Sequence, residues 1–340
     1  MKISNIGQMG GGKRLAYLDA IKCLGILLVI IGHVQLFGMK IEAYDSIPTL
    51  MLYSFNMPLF FFISGYLAYR EEIGKFDELK KIGSKFVFLV IPAIAFYSFS
   101  MFQQHGNGIF DFISDGLGKY WFTFTLFEIF LIYYIASGVS KSKYMLAVIL
   151  VILSVTGVGY LSFFSEYEIP IFDFNHLAKY FQFFTLGVYS RMFAVQYDKL
   201  MRNEYLKTFG IVSFFVVLFS LFKIEMPSVA FHLLRDIVLR YLGLYIVISL
   251  FYCKQNTFNE ETGLNKLILK IGQNSLAIYL LQYFFMPNFS AFPMWLKGLD
   301  WLSIYAISFV YAVIITAVCM VFIELFYNSL FVKKYFLGQK

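Results

Sequence analysis

Three ionisable residues, Asp19, Lys22 and His33, interrupt one apolar run, Leu18–Phe37. A charged side chain is costly inside a bilayer and marks a partner or a cavity. Lys22 and His33 stand eleven positions apart. At about 100° per residue that is three turns plus roughly 20°, so they share one helix face, about 16 Å apart along the axis. Asp19 lies three before Lys22 and joins the same face. The pair Asp19–Lys22 has a plain reading, a lysine snorkelling at the membrane edge beside its counter-ion. His33 has one too, an interfacial imidazole bonded to a neighbouring carbonyl. The chemical reading is that His33 moves a proton, the task for which imidazole is best suited near neutral pH.

Other polar groups fall within apolar runs. Arg235 and Asp236 are adjacent and face apart, whereas Asp236 and Arg240 are i,i+4 and can pair. That cluster is either a structural ion pair or, through Arg235, part of a polar pocket. Glu128 and Lys179 are candidates to pair across the bundle. His105 and His176 read as interfacial. No His and Cys residues stand at metal-ligand spacing, so no metal is expected. No glycine pattern of the phosphate-loop or dinucleotide type is present.

The elements that position these residues follow from composition. Of 340 residues, 59% are hydrophobic and 14% charged, against roughly 45–50% and 25% in soluble domains. A soluble globular enzyme, a disordered chain and a disulfide scaffold are thereby excluded. Cys23, Cys253 and Cys319 are odd in number and lie in or at the edge of apolar runs, so they read as buried thiols packing as small hydrophobes. The expected fold is all-α, a polytopic membrane bundle of about ten helices. The spans are near Leu18–Phe37, Leu50–Tyr69, Phe86–Phe102, Tyr120–Ser137, Tyr144–Phe164, His176–Ala194, Tyr205–Phe222, Val229–Tyr252, Leu267–Met286 and Trp301–Tyr327. The first span is long and broken by Lys22 and His33, so it reads as an uncleaved anchor. The whole chain, 1–340, reads as a single domain, with 1–17 a flexible cytoplasmic lead and 328–340 a cytoplasmic tail.

Twenty of the 28 Lys and Arg residues fall on one side, in the termini, in alternate connections or at the span ends that adjoin them, and four (Lys40, Lys119, Lys223 and Lys297) on the other. The positive-inside rule then places both termini in the cytoplasm, Lys22 near the inner boundary and His33 in the outer part of its span. The net charge of +7 is accounted for by this bias, and nucleic acid is not an expected partner.

The stretch from Tyr17 to His33, with an acidic residue, a basic residue and ten further positions before a histidine, resembles the opening of the membrane-bound acyltransferase 3 family. That family's usual basic residue is Arg, and Lys22 suggests the branch that resembles fucose 4-O-acetylases. Asn56-Met57-Pro58-Leu59-Phe60-Phe61-Phe62-Ile63-Ser64-Gly65-Tyr66 is similar to the second-span signature. Lys81, Lys85 and Pro92 resemble a basic pair before a proline-broken third span, although the family's pair is Arg-rich and closer spaced. Trp121-Phe122 opens the fourth span as in the family. Gly272-Gln273-Asn274-Ser275-Leu276-Ala277-Ile278-Tyr279-Leu280-Leu281 resembles the ninth span, which often ends in His where this chain has Gln282.

The resemblance implies an O-acyltransferase of the bacterial inner membrane. It would move an acyl group, usually acetyl, from cytosolic acyl-CoA to a hydroxyl of an extracytoplasmic glycan or lipid-linked saccharide. His33 would be the base and Lys22, Lys81 and Lys85 would hold the donor phosphates. Asp19, Glu128 and Gln282 would orient these groups, and Arg235, Asn56 and Ser64 would line the acceptor or thioester pocket. The donor, acetyl-CoA, is a co-substrate, and no permanently bound cofactor is expected. Association with further copies of the chain stays open. The rival reading is a proton-coupled exporter using His33, Lys22 and Glu128 as relay groups. A glycan flippase is a third. The lack of an internal repeat and the motifs favour the enzyme.

Overall fold

The computed structural model describes residues 14–41, 47–71, 78–104, 118–163, 174–223, 229–289 and 299–327. Residues 1–13, the tail 328–340 and His105 lie outside the described residues. All regular structure among the described residues is helical, as expected for a chain whose backbone polar groups must be satisfied within the membrane.

The elements run α1 (Ala16–His33), α2 (Ile47–Ala68), α3 (Glu78–Lys85), α4 (Ile91–Gln104), α5 (Trp121–Val139), α6 (Lys143–Phe163) and α7 (Phe174–Met192). There follow α8 (Ala194–Met201), α9 (Glu204–Lys223), α10 (Val229–Cys253), α11 (Gly263–Gln273), α12 (Ser275–Leu281) and α13 (Trp301–Phe326). Among the described residues, seven helical stretches are long and apolar enough to cross a membrane, where the hydropathy reading expects ten. The sixth expected span forms α7, of 19 residues. Asn175, His176, Lys179, Gln182 and Arg191 make it too polar to join that class. The seventh forms α9, of 20 residues.

The ninth expected span is not one helix. It breaks at Asn274 between α11 and α12 and tightens into a 3-10 turn over Gln282–Phe285. Asn274 causes the break: its side-chain nitrogen donates to Lys270 O at 2.8 Å, competing with helix continuation as short amide side chains do. The third span differs in the opposite sense, because Pro92 does not break it. α3 passes into α4 through a π-helical turn, Phe86–Val90, and the stretch Lys80–Phe99 is continuous. Proline lacks an N–H and its ring crowds the carbonyl four residues back. The widened turn just ahead of Pro92 absorbs that conflict.

α1 is the central helix. It packs on α2, α10, α11, α12 and α13, and most of its side chains are buried. Elsewhere two glycines set the packing. A Cβ on Gly65 would fall 2.0 Å from Phe184 O, and one on Gly187 2.0 Å from Phe62 O, so α2 and α7 cross with their backbones in contact. α6 and α9 turn broad apolar faces outward, including Val148, Ile152, Val155, Phe209, Val212 and Val216, surfaces suited to lipid. Cys23 and Cys319 are buried as expected; Cys253 is exposed. It ends α10, where its thiol meets Lys207 Nζ at 3.3 Å and Met201 O at 3.4 Å, so it does not pack as a core residue.

Candidate functional site

His33 closes α1, and the helix continues beyond it as a π-helical turn over Val34–Gly38. Such turns re-aim side chains and occur often at functional sites. Gly32 makes room beside it, since a Cβ there would lie 2.8 Å from the Tyr53 hydroxyl. The imidazole lies between two rings, with centroids 5.3 Å from Phe37 and 5.1 Å from Tyr283. Gln282, 0% exposed, stands beside it. Neither His33 Nδ1 nor Gln282 Oε1 has a hydrogen-bond partner, although both atoms are buried. A buried acceptor or donor left unmade is costly, and two such groups side by side form a polar site poised for a ligand.

Tyrosines complete the surround. Tyr120 packs edge-on against Tyr283 at 5.2 Å and Tyr279 at 6.3 Å. Its hydroxyl donates to Leu280 O at 3.3 Å, while those of Tyr279 and Tyr283 both donate to Lys119 O at 2.7 Å. The turn before α5 is thus fastened onto α12 and the 3-10 turn that carries Gln282. Lys119 extends over the same rings, its Nζ 5.7 Å from the Phe37 centroid and 5.9 Å from that of Tyr283. Its sequence context, a connecting segment, gives no signal for that position. Close by in the chain, Trp121 stacks on His176 at 4.1 Å and on Tyr180 at 5.5 Å.

At the other end of α1, Asp19 is a hub. Lys22 Nζ is 2.6 Å from its Oδ1 and Arg14 Nε 2.6 Å from its Oδ2. Gln273 Nε2 approaches Oδ2 at 3.5 Å. The Asp19–Lys22 pair expected from spacing is therefore present, with Arg14 as a second cation that the helical pattern does not reach. α11 and the 3-10 turn after α12 consequently touch the two ends of the polar stripe, through Gln273 at Asp19 and Gln282 at His33.

Lys81 and Lys85 lie apart from these groups, on α3, and face rings of α5. Lys81 pairs with Glu78 at 2.6 Å and lies 5.8 Å from the Tyr134 centroid; Lys85 sits 3.8 Å over Phe130. Asn56 is buried, its Oδ1 accepting from Met57 N at 2.6 Å. Ser64 is half-buried next to the Gly65 crossing. Arg235 donates to Ser220 O at 3.1 Å and lies 3.2 Å from His232 Nδ1, which ties it to α9. Asp236 and Arg240 pair at 2.8 Å as expected. Lys179 pairs with Asp236 at 3.8 Å, where the sequence pointed to Glu128; Glu128 is half-buried in α5. An apolar cavity of about 360 Å³ lies among α2, α7, α8, α9 and α10 and shares no lining residue with the His33 group. No cluster of three potential metal ligands occurs among the described residues.

Helices long and apolar enough to cross a membrane, with a half-buried histidine and a buried amide at one end of the central helix, define a multi-pass membrane protein with a polar site inside its bundle. A family model described as an acyltransferase domain, that of the acyltransferase 3 family, matches residues 15–321, and the chain belongs to this family. Nodulation protein NolL of Sinorhizobium fredii is 30% identical over 142 residues, which are 36% of this chain and 37% of that protein. The match thus spans little more than a third of the curated relative. No solved structure matches.

Proposed function

We propose that the protein is an O-acyltransferase of the bacterial inner membrane, taking acetyl or another acyl group from cytoplasmic acyl-CoA to a hydroxyl of an extracytoplasmic glycan or lipid-linked saccharide. The observation that carries this reading is the half-buried His33, whose Nδ1 is buried without a partner beside Gln282, in a chain of the acyltransferase 3 family. A sugar hydroxyl attacks a thioester slowly until a base takes its proton. In this reading the acceptor oxygen attacks the thioester carbonyl carbon and its proton passes to His33. The C–O bond forms, the C–S bond breaks, and the proton then leaves on the CoA thiol. Gln282 lies beside the ring as the group that orients it once the acceptor is bound, and Tyr53, Tyr279 and Tyr283 keep bulk water from the thioester.

The orientation in the membrane is part of the proposal. It rests on the distribution of Lys and Arg, which puts both termini and Lys22 inside and His33 toward the outside. Lys22, Lys81 and Lys85 then lie on the side where acyl-CoA is found. A lysine binds phosphate as a point charge. The acyl-pantetheine arm follows the α1 stripe, about 16 Å at 1.5 Å per residue, from Lys22 to His33.

The test is transfer of labelled acetyl from acetyl-CoA to surface glycan in membranes carrying the wild-type chain or His33→Ala. Wild-type membranes are expected to label glycan, and His33→Ala membranes, with equal protein present, are expected to fall by a factor of roughly 100 or more. Near-wild-type labelling by a well-expressed His33→Ala protein refutes the role of His33. Consumption of no acetyl-CoA by the wild type refutes the enzyme in favour of a transporter.

A further inference from the structure

Lys119 takes no part in the transfer steps above, yet the structure fixes it at the His33 end of the bundle. Its carbonyl holds two tyrosine hydroxyls at 2.7 Å, and Tyr120 beside it is tied to Leu280 O. Gly118 precedes it at φ +47°, a left-handed turn that glycine adopts without strain. These constraints act on the backbone, so the ammonium is presented from a rigid base. Its side chain reaches over Phe37 and Tyr283, the two rings that flank His33. Tyr283 is the shared neighbour: its centroid is 5.1 Å from the imidazole and 5.9 Å from Lys119 Nζ. One sugar ring with a charged substituent covers the span between the two groups.

Lys119 is exposed, and no carboxylate among the described residues pairs with it. The aromatic faces attract it weakly, since an exposed cation–π contact leaves most of the charge available. A positioned, unneutralised cation beside aromatic rings at a catalytic histidine selects among ligands by charge and raises their capture rate.

We propose that Lys119 binds an anionic substituent of the acceptor, so that the acceptor is an acidic saccharide carrying its charge on, or directly beside, the sugar whose hydroxyl meets His33. This rests on the acyltransferase reading and adds the substrate class. Lys119 is a specificity residue in this account, because it touches the acceptor away from the reacting atoms.

Mass analysis of surface glycans from strains carrying the wild-type chain or His33→Ala tests it. The acyl groups missing from the His33→Ala strain are expected on sugars that bear, or are linked directly to, a carboxylate or phosphate. Acyl groups missing from a wholly neutral glycan overturn the role of Lys119 and leave the acyltransferase reading intact. Identical acylation in both strains overturns that reading, and this one with it. Lys119→Gln keeps the backbone hydrogen bonds, so it is expected to fold. It should raise the KM for the identified acceptor about fivefold, the size of one exposed ion pair, with the KM for acetyl-CoA unchanged. Lys119→Arg should retain the wild-type value. An unchanged acceptor KM in Lys119→Gln, or equal losses in Gln and Arg variants, overturns the proposal.

Discussion

Asp19 and Gly272 meet through their backbones: a Cβ built on Gly272 would fall 1.8 Å from the Asp19 carbonyl oxygen. This contact lets α11 lie against α1, and it brings Gln273 to the Asp19 carboxylate. Gly272→Ala must force the helices apart. We expect it to destabilise the protein by about 1–3 kcal/mol, as overpacking does, read as a lower melting temperature in detergent. Gly83, inside α3 with open space around an added Cβ, is the control, and Gly83→Ala should melt at or slightly above the wild type, since Ala is the better helix former. Equal melting of Gly272→Ala and wild type would show that the close approach is not maintained in solution.

The polar stripe of α1 was legible because charges stand out in an apolar run and because helical periodicity is simple. Asp19, Lys22 and His33 lie where that arithmetic places them, and Asp236 pairs with Arg240 for the same reason. The span count was less legible. A hydropathy window averages over Leu267–Met286 and misses the side chain of Asn274, which ends α11. Partners set by tertiary contact had no local sign. Arg14 reaches Asp19 from before the helix, Lys179 meets Asp236 across the bundle, and Lys119 is brought to His33 by hydroxyls 160 and 164 residues away.

Gln282 offers a sharper probe of the site than His33 itself. Its carbonyl oxygen is buried and unpartnered beside the imidazole, while its nitrogen donates to Tyr279 O at 3.1 Å. Gln282→Leu removes the amide at similar size. If the amide orients the ring in the transition state, kcat should fall about tenfold, the equivalent of one hydrogen bond of about 1.4 kcal/mol, with donor KM little changed. Gln282→His restores the family's frequent residue and should retain more activity than Gln282→Leu. Equal kcat in Gln282→Leu and wild type would remove Gln282 from the mechanism.

Asp198 lies on α8, between the longer helices, and ties that connection to α10. Burial pushes its carboxyl up, but the hydrogen bonds from Arg202 Nε at 2.8 Å and Tyr252 Oη at 2.7 Å outweigh this and hold it below its ordinary value. A lowered carboxyl contributes stability that is present above the unfolded value of about 3.9 and is lost as pH falls through the lower folded value. Melting temperature should therefore drop on acidification below about pH 4. Asp198→Asn should flatten that part of the profile while melting lower at neutral pH. An identical acid limb in Asp198→Asn would exclude this carboxylate as a contributor.

Lys22 sits against a carboxylate that has other partners. Its side chain is 17% exposed and pairs with Asp19, so a purely structural role predicts that Lys22→Ala strands a buried carboxylate and fails to fold. Asp19, however, keeps Arg14 at 2.6 Å and Gln273 at 3.5 Å. Lys22→Ala should then fold at near wild-type yield, and its kinetics become readable. If Lys22 holds a donor phosphate, the KM for acetyl-CoA should rise about tenfold, as expected when a charged hydrogen bond worth about 1.5 kcal/mol is lost, with acceptor KM unchanged. Lys22→Arg keeps the charge and restores the family's usual residue, so it should retain donor binding. The double change Asp19→Ala with Lys22→Ala separates the two roles. A structural lysine predicts that the double variant regains both yield and activity, whereas a donor-binding lysine predicts yield without activity. A folded Lys22→Ala protein with unaltered dependence on acetyl-CoA eliminates the donor role.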